Sequence, residues 1–199
     1  NISKAMNKLP SISSIIEPEK VKQIMDSIDS AHNILITTHL SPDGDAIGSS
    51  LALYHFIKNK GKKVRLIVPN SFPYFLRWMD GINEIEIFEY NPAAGLTIIK
   101  NSDLIFSLDY NVSKRVGEMG PYIENSLAKK ILIDHHPFPG TNFDIIVSKP
   151  EISSTSELIF RLFYQAGRYD QITKAEAENA EKHICTQLGA DYKYSCNLM

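Results

Sequence analysis

Five short apolar runs punctuate this chain: residues 33–38, 64–69, 103–109, 130–136 and 143–147. The first, Asn33-Ile34-Leu35-Ile36-Thr37-Thr38, shows no polar alternation. Runs of this kind read as strands buried on both faces of a parallel sheet. Helical spacing fills the gaps between them. From Ala46 to Lys60 the apolar positions are Ile47, Leu51, Leu53, Tyr54 and Ile57; Gly61 stops the helix, and Lys58, Lys60 and Lys62 sit at its negative end. An earlier helix opens at Glu17-Pro18-Glu19-Lys20 and carries the stripe Val21, Ile24, Met25, Ile28. Ser153 to Gly167 forms another, capped by Ser153 or Ser154 and striped by Leu158, Ile159, Leu162 and Phe163. Val112 to Arg115 starts a short helix, and Gly120-Pro121 breaks the chain. Thr173, with Glu176 three residues on, makes a capping box for a final acidic helix. Ile85-Glu86-Ile87-Phe88 alternates in polarity like an edge strand. The order predicts an α/β domain: a doubly wound, mainly parallel sheet of about five strands with helices on both faces.

Size and composition narrow the setting. The 199 residues suit one domain, with 43% apolar and 22% charged residues. A net charge of −2 provides no basic field to draw in nucleic acid. Cys185 and Cys196 are too few for a disulfide scaffold and too isolated for a zinc site, which predicts a cytoplasmic protein. No apolar run approaches about 18 residues, so no membrane span is expected. Residues 1–16 are Ser-rich and read as an N-terminal arm.

Three of the apolar runs end in acids or imidazoles. After the first comes His39-Leu40-Ser41-Pro42-Asp43-Gly44-Asp45; the third ends at Asp109; the fourth ends at Asp134-His135-His136. In an open parallel sheet the carboxyl ends of all strands share one edge, so these groups converge. Each fragment alone has a plain explanation: a turn, a helix cap, a solvated histidine pair. Together, His39, Asp43, Asp45, Asp109 and His135 are three carboxylates and two imidazoles, which would repel without cations. Imidazole and carboxylate without thiolate suit a divalent transition metal. Two metals sharing one carboxylate would activate water for attack on a phosphoester.

These motifs resemble those of the DHH phosphoesterases. His39-Leu-Ser-Pro-Asp43-Gly-Asp45-Ala-Ile-Gly48-Ser49 is similar to the first motif, Ser107-Leu108-Asp109 to the second, and Ile133-Asp134-His135-His136-Pro137 to the Asp-His-His signature. The likeness covers about residues 20–165, and residues 17–184 are expected to form the DHH catalytic domain. The resemblance implies two Mn²⁺ ions, with Mg²⁺ as the alternative. His39, Asp43 and Asp109 would hold one. Asp45, Asp109 and His135 would hold the other, with an acid from a fourth motif, and Asp109 would bridge. Asp134 would orient a neighbouring histidine, and His136 would bind substrate phosphate or assist proton transfer. The Ser/Thr-rich start at Ser153–Glu157 is expected to cap and pack.

The expected substrates are short oligonucleotides or nucleotide phosphates, as for the oligoribonuclease and 3′-phosphoadenosine-5′-phosphate phosphatase group. A pyrophosphatase or exopolyphosphatase is one alternative, and a non-catalytic remnant binding metal or partner proteins is another. The fourth motif is degenerate: in the tail 185–199, Asp191 precedes Tyr192, Tyr194 and Ser195 but lacks the usual Thr-Gly. The family's C-terminal lobe, called DHHA1, is expected to be absent, with weak turnover from this chain alone. Phe72, Tyr74, Phe75 and Trp78 form an aromatic cluster, expected to pack in the core or between subunits rather than stack bases. In relatives this region lies near a dimer contact, so the resemblance implies a homodimer.

Overall fold

The structure is a computed structural model, and it describes residues 13–168. Six strands form one parallel sheet in the order β3-β2-β1-β4-β5-β6. They are β1 (Ile34–Thr37), β2 (Val64–Val68), β3 (Ile85–Ile87), β4 (Leu104–Leu108), β5 (Lys129–Asp134) and β6 (Ile145–Ser148). The alternating run at 85–87 is the sixth strand, at the sheet edge beside β2. Five helices accompany them among the described residues: α1 (Pro18–Ser30), α2 (Gly44–Asn59), α3 (Pro92–Asn101), α4 (Gly120–Glu124) and α5 (Thr155–Gln165).

Period-two burial divides the strands between two cores. Ile34, Ile36, Leu66, Leu104 and Phe106 face a large cluster shared with α1, α2 and α5. Leu35, Ile67 and Ile105 face a smaller cluster with Ile99 of α3, Val116, Met119 and Ile123 of α4. Both sheet faces are therefore covered, which is why the strands carry no polar alternation.

Two local expectations change. α3 lies where periodicity alone marks no helix; its start is signalled by Asn91, whose side chain accepts from Ala94 N, and by Pro92 in the first turn. Gly120-Pro121 opens α4 instead of breaking the chain, because proline lacks only a donor that the first turn leaves unpaired anyway. At the other end, Ile16 is buried, and the backbone N–H groups of Ile15 and Ile16 donate to the Gln165 side chain. The folded unit thus reaches back into the expected arm. Of the aromatic cluster, Phe72 packs against the large core as expected, with Leu76 and Met79 buried nearby, while Tyr74, Phe75 and Trp78 stay exposed, contrary to core packing of those three. No helix among the described residues is long and apolar enough to cross a membrane. The capping box at Thr173 and both cysteines lie outside the described residues.

Candidate metal centre

Strand order reverses between β1 and β4, and the candidate site lies at the carboxyl ends of these two strands and β5. Such a switch point opens a crevice in doubly wound sheets. Register aligns the donors. Thr37 pairs with Ser107, so His39 follows at the level of Asp109. Leu108 pairs with Ile133, which sets Asp109 level with Asp134.

Asp109 is the centre of the cluster. It is 2% exposed and adopts a left-handed backbone (φ 63°), a conformation that aspartate tolerates better than most side chains. One carboxylate oxygen, Oδ2, lies 3.5 Å from His39 Nε2. The other, Oδ1, lies 3.6 Å from His135 Nε2. The hydroxyl of Thr155, at the start of α5, donates to Oδ1 at 2.9 Å.

Both imidazoles are oriented from behind. His39 Nδ1 sits 2.8 Å from the Leu40 carbonyl, and His135 Nδ1 sits 3.2 Å from the Ile152 carbonyl. A carbonyl only accepts, so each Nδ1 carries a hydrogen; in the neutral ring each Nε2 then turns a lone pair toward Asp109, and in the protonated ring it donates to that carboxylate. A lone pair facing a carboxylate is favourable only with a proton or a cation between them. That arrangement, with a carbonyl fixing the far nitrogen, is how metal-ligating histidines are held. The donor set therefore fits divalent cations. Asp43 caps α2 through Oδ1, which accepts from Asp45 N and Ala46 N, leaving its other oxygen for a ligand. His39, Asp43 and Asp109 bring ligand atoms within 4.8 Å of one another, as do Asp109, His135 and His136.

Asp45 is placed differently from the other acids. Its carboxylate oxygens accept Thr155 N and Ser156 N, each at 2.8 Å, at the positive end of α5. Its Oδ2 also lies 3.7 Å from His135 Nε2, within reach of the second expected metal position. Gly48 lets α2 pass close to that helix start, since a Cβ there would sit 3.3 Å from Ser156 Oγ. Thr155 and Ser156 therefore hold two site carboxylates, beyond the capping expected of them. The capping cue at Ser154 is visible in sequence, but the contact to Asp45 spans 110 residues.

The electrostatics follow from burying acids together. Burial, then the negative charge of Asp109, pushes Asp45 up to about 6 against the two N–H groups from α5. Burial also pushes Asp109 up, but hydrogen bonds from His39 and Thr155 and the nearby imidazoles outweigh it and hold its pKa below the ordinary value. For His39, burial lowers the pKa, yet bonding to Asp109 and to the Leu40 carbonyl, with the charges of Asp109 and Asp43, raises it overall. Asp134 is fully buried; burial raises its pKa despite the 2.7 Å contact of its Oδ1 with His136 Nδ1. That contact sets Asp134 against His136 Nδ1 and leaves Nε2 free of it. Asp191 lies outside the described residues.

Residues 33–187 match the DHH family, N-terminal domain. The chain belongs to the DHH family. It is 31% identical over 145 residues to the bifunctional oligoribonuclease and PAP phosphatase NrnA of Thermus thermophilus, covering 71% of this chain and 40% of that protein. It is 26% identical over 163 residues to the cyclic-di-AMP phosphodiesterase PdeA of Listeria monocytogenes, covering 77% of this chain and 24% of the relative. The chain thus spans less than half the length of these curated relatives. The crystal structure of an exopolyphosphatase-related protein from Bacteroides fragilis superposes with a TM-score of 0.87 at 41% identity, over 89% of this chain and 52% of that one. RecJ of Thermus thermophilus, in complex with Mn²⁺, shares the fold at a TM-score of 0.52 and 15% identity, over 86% of this chain and 24% of its own.

Proposed function

We propose that this DHH domain serves a metal-dependent phosphoesterase that hydrolyses short oligonucleotides or nucleotide phosphates. The observation that carries this reading is the Asp109 carboxylate, whose two oxygens face imidazole Nε2 atoms from two different strands' ends. A carboxylate so placed suits a bridge between two cations. His39, Asp43 and Asp109 would hold one Mn²⁺, and Asp45, Asp109 and His135 the other, with Asp191 as a further ligand candidate. When bound, two divalent cations supply a nucleophilic water at neutral pH and neutralise charge on the phosphoryl group. The chain's own residues do the rest. The Leu40 and Ile152 carbonyls fix the two imidazoles, Thr155 fixes Asp109, and the α5 N–H groups fix Asp45. Asp134 holds His136, whose Nε2 is the group to bind the phosphate or move a proton. In the reaction, water oxygen bonds to phosphorus, the ester P–O bond breaks, and the leaving oxygen takes up a proton. The cysteine usage favours a cytoplasmic setting.

A second reading, hydrolysis of pyrophosphate or polyphosphate, is favoured by the 41%-identical exopolyphosphatase-related neighbour. One experiment separates the readings. Metal content is measured after Mn²⁺ loading, and release of product is followed from pApA, 3′-phosphoadenosine-5′-phosphate, pyrophosphate and tripolyphosphate. Two Mn²⁺ per chain and turnover of the first two substrates support the proposal. Turnover confined to the inorganic substrates supports the second reading. Absence of stoichiometric metal overturns both and leaves a partner-binding remnant.

A further inference from the structure

Phe138 lies two residues beyond His136 and is 86% exposed. Its backbone is left-handed (φ 60°), a conformation that is a true outlier for a bulky side chain. Strain of this kind persists only where surrounding contacts impose it. Here they do. Asn111 Nδ2 donates to the Pro137 carbonyl at 2.8 Å, Gly140 N donates to the Asn111 carbonyl at 2.7 Å, and Ser148 Oγ donates to the His136 carbonyl at 3.2 Å. The loop backbone is thus tied both to the segment after Asp109 and to β6, and Phe138 is left exposed on it. Across the site, Leu40 follows His39 directly and is half exposed, and its N–H donates to the Arg115 carbonyl at 2.7 Å. Lys114 and Arg115 are exposed and make no ion pair or side-chain hydrogen bond among the described residues. An exposed aromatic side chain on a tied backbone, and unpaired cations in the 3-10 helix that follows Asp109, match a ligand with a flat π-face and negative charge.

We infer that Phe138 is a stacking platform for the nucleobase of a phosphoester substrate, and so determines specificity for nucleotides over inorganic phosphates. The inference rests on the phosphoesterase reading and deepens it. Base–aromatic stacking is sequence-tolerant, because every base has a π-face. A pyrophosphate or polyphosphate would gain nothing from this ring.

The test uses the full chain with Mn²⁺, comparing calorimetric affinity for AMP with that for ribose 5-phosphate, which lacks only the base. Wild type is expected to prefer AMP. Phe138→Ala should weaken AMP binding about 5- to 100-fold and leave ribose 5-phosphate unchanged. Phe138→Tyr should keep the preference, and both variants should bind Mn²⁺ and melt as wild type does. Equal affinity of wild type for the two ligands, or an undiminished AMP preference in Phe138→Ala, overturns the stacking role. If the AMP preference depends on Phe138 but no phosphoester is cleaved, the phosphoesterase reading fails and the stacking site stands. If pApA is cleaved equally well by Phe138→Ala, the reverse holds.

Discussion

Strand β4 is bracketed by two aspartates, Asp103 before it and Asp109 after it, and they have opposite fates. Asp103, at the amino edge, accepts His32 N at 2.8 Å and Asn33 N at 2.9 Å, and its side chain is 42% exposed. Its two oxygens staple the start of β1 to the start of β4. Asp109, at the carboxyl edge, is 2% exposed and surrounded by imidazoles, a hydroxyl and other acids. The chemistry of the residue is identical at both ends. The difference lies in what each edge of a parallel sheet delivers. The amino edge presents backbone N–H groups that saturate a carboxylate, while the carboxyl edge gathers loops bearing further ligands.

Substitutions should separate the two ends. The largest effect is expected for Asp109→Ala, which removes the shared carboxylate. Stoichiometric Mn²⁺ binding, read by elemental analysis after desalting, should be lost, and any hydrolysis should fall more than about 100-fold, since an inner ligand should matter more than the roughly 10–100-fold typical of outer partners. Retention of two tightly bound Mn²⁺ would sink the bridging assignment. Next comes Asp134→Asn. It should weaken Mn²⁺ or substrate binding about 10–100-fold by releasing His136, without removing a direct ligand. An unchanged calorimetric titration would show that His136 needs no such support.

Thr155→Val should cost about 2 kcal/mol of stability, because it deletes a buried hydroxyl bonded to a carboxylate. Chemical denaturation of the metal-free protein measures this, and a loss under a few tenths would contradict it. The smallest effect is expected at the amino edge. Asp103→Ala should cost about 1 kcal/mol and leave Mn²⁺ stoichiometry intact. Its pH signature is specific. Burial raises the Asp103 pKa, but the N–H groups of His32 and Asn33 lower it further, so the folded value lies below the ordinary 3.8. Its contribution is thus fully present above that value and is lost as pH falls through the lower, folded pKa. Between neutral pH and strong acid, Asp103→Asn should lose less stability than wild type; parallel curves would remove Asp103 from the acid-sensitive set.

Most of the site was legible because its ligands cluster in three short motifs at strand ends. His39, Asp43, Asp109, His135 and His136 needed only the rule that parallel strands share a carboxyl edge. Thr155 and Ser156 were visible only as a helix start, since nothing local marks their contact with Asp45 and Asp109. Helix α3 was obscured because its mixed face covers the smaller core; only the Asn91-Pro92 cap announced it. Phe138 looked ordinary in sequence, because a left-handed φ on phenylalanine has no compositional signature.

The sequence by itself determined the alternation of strands and helices, the acids and imidazoles at their ends and the membership of the DHH family. These are local properties: apolar patterning, capping and motif spacing. Tertiary structure alone decided that Thr155 bonds Asp109 and that Asp103 staples the starts of two strands. It also decided that α5 clamps Asp45 and that Phe138 is exposed on a left-handed backbone. Those outcomes depend on register and on contacts between residues far apart in the chain, which only the packed sheet and its helices bring within hydrogen-bonding distance.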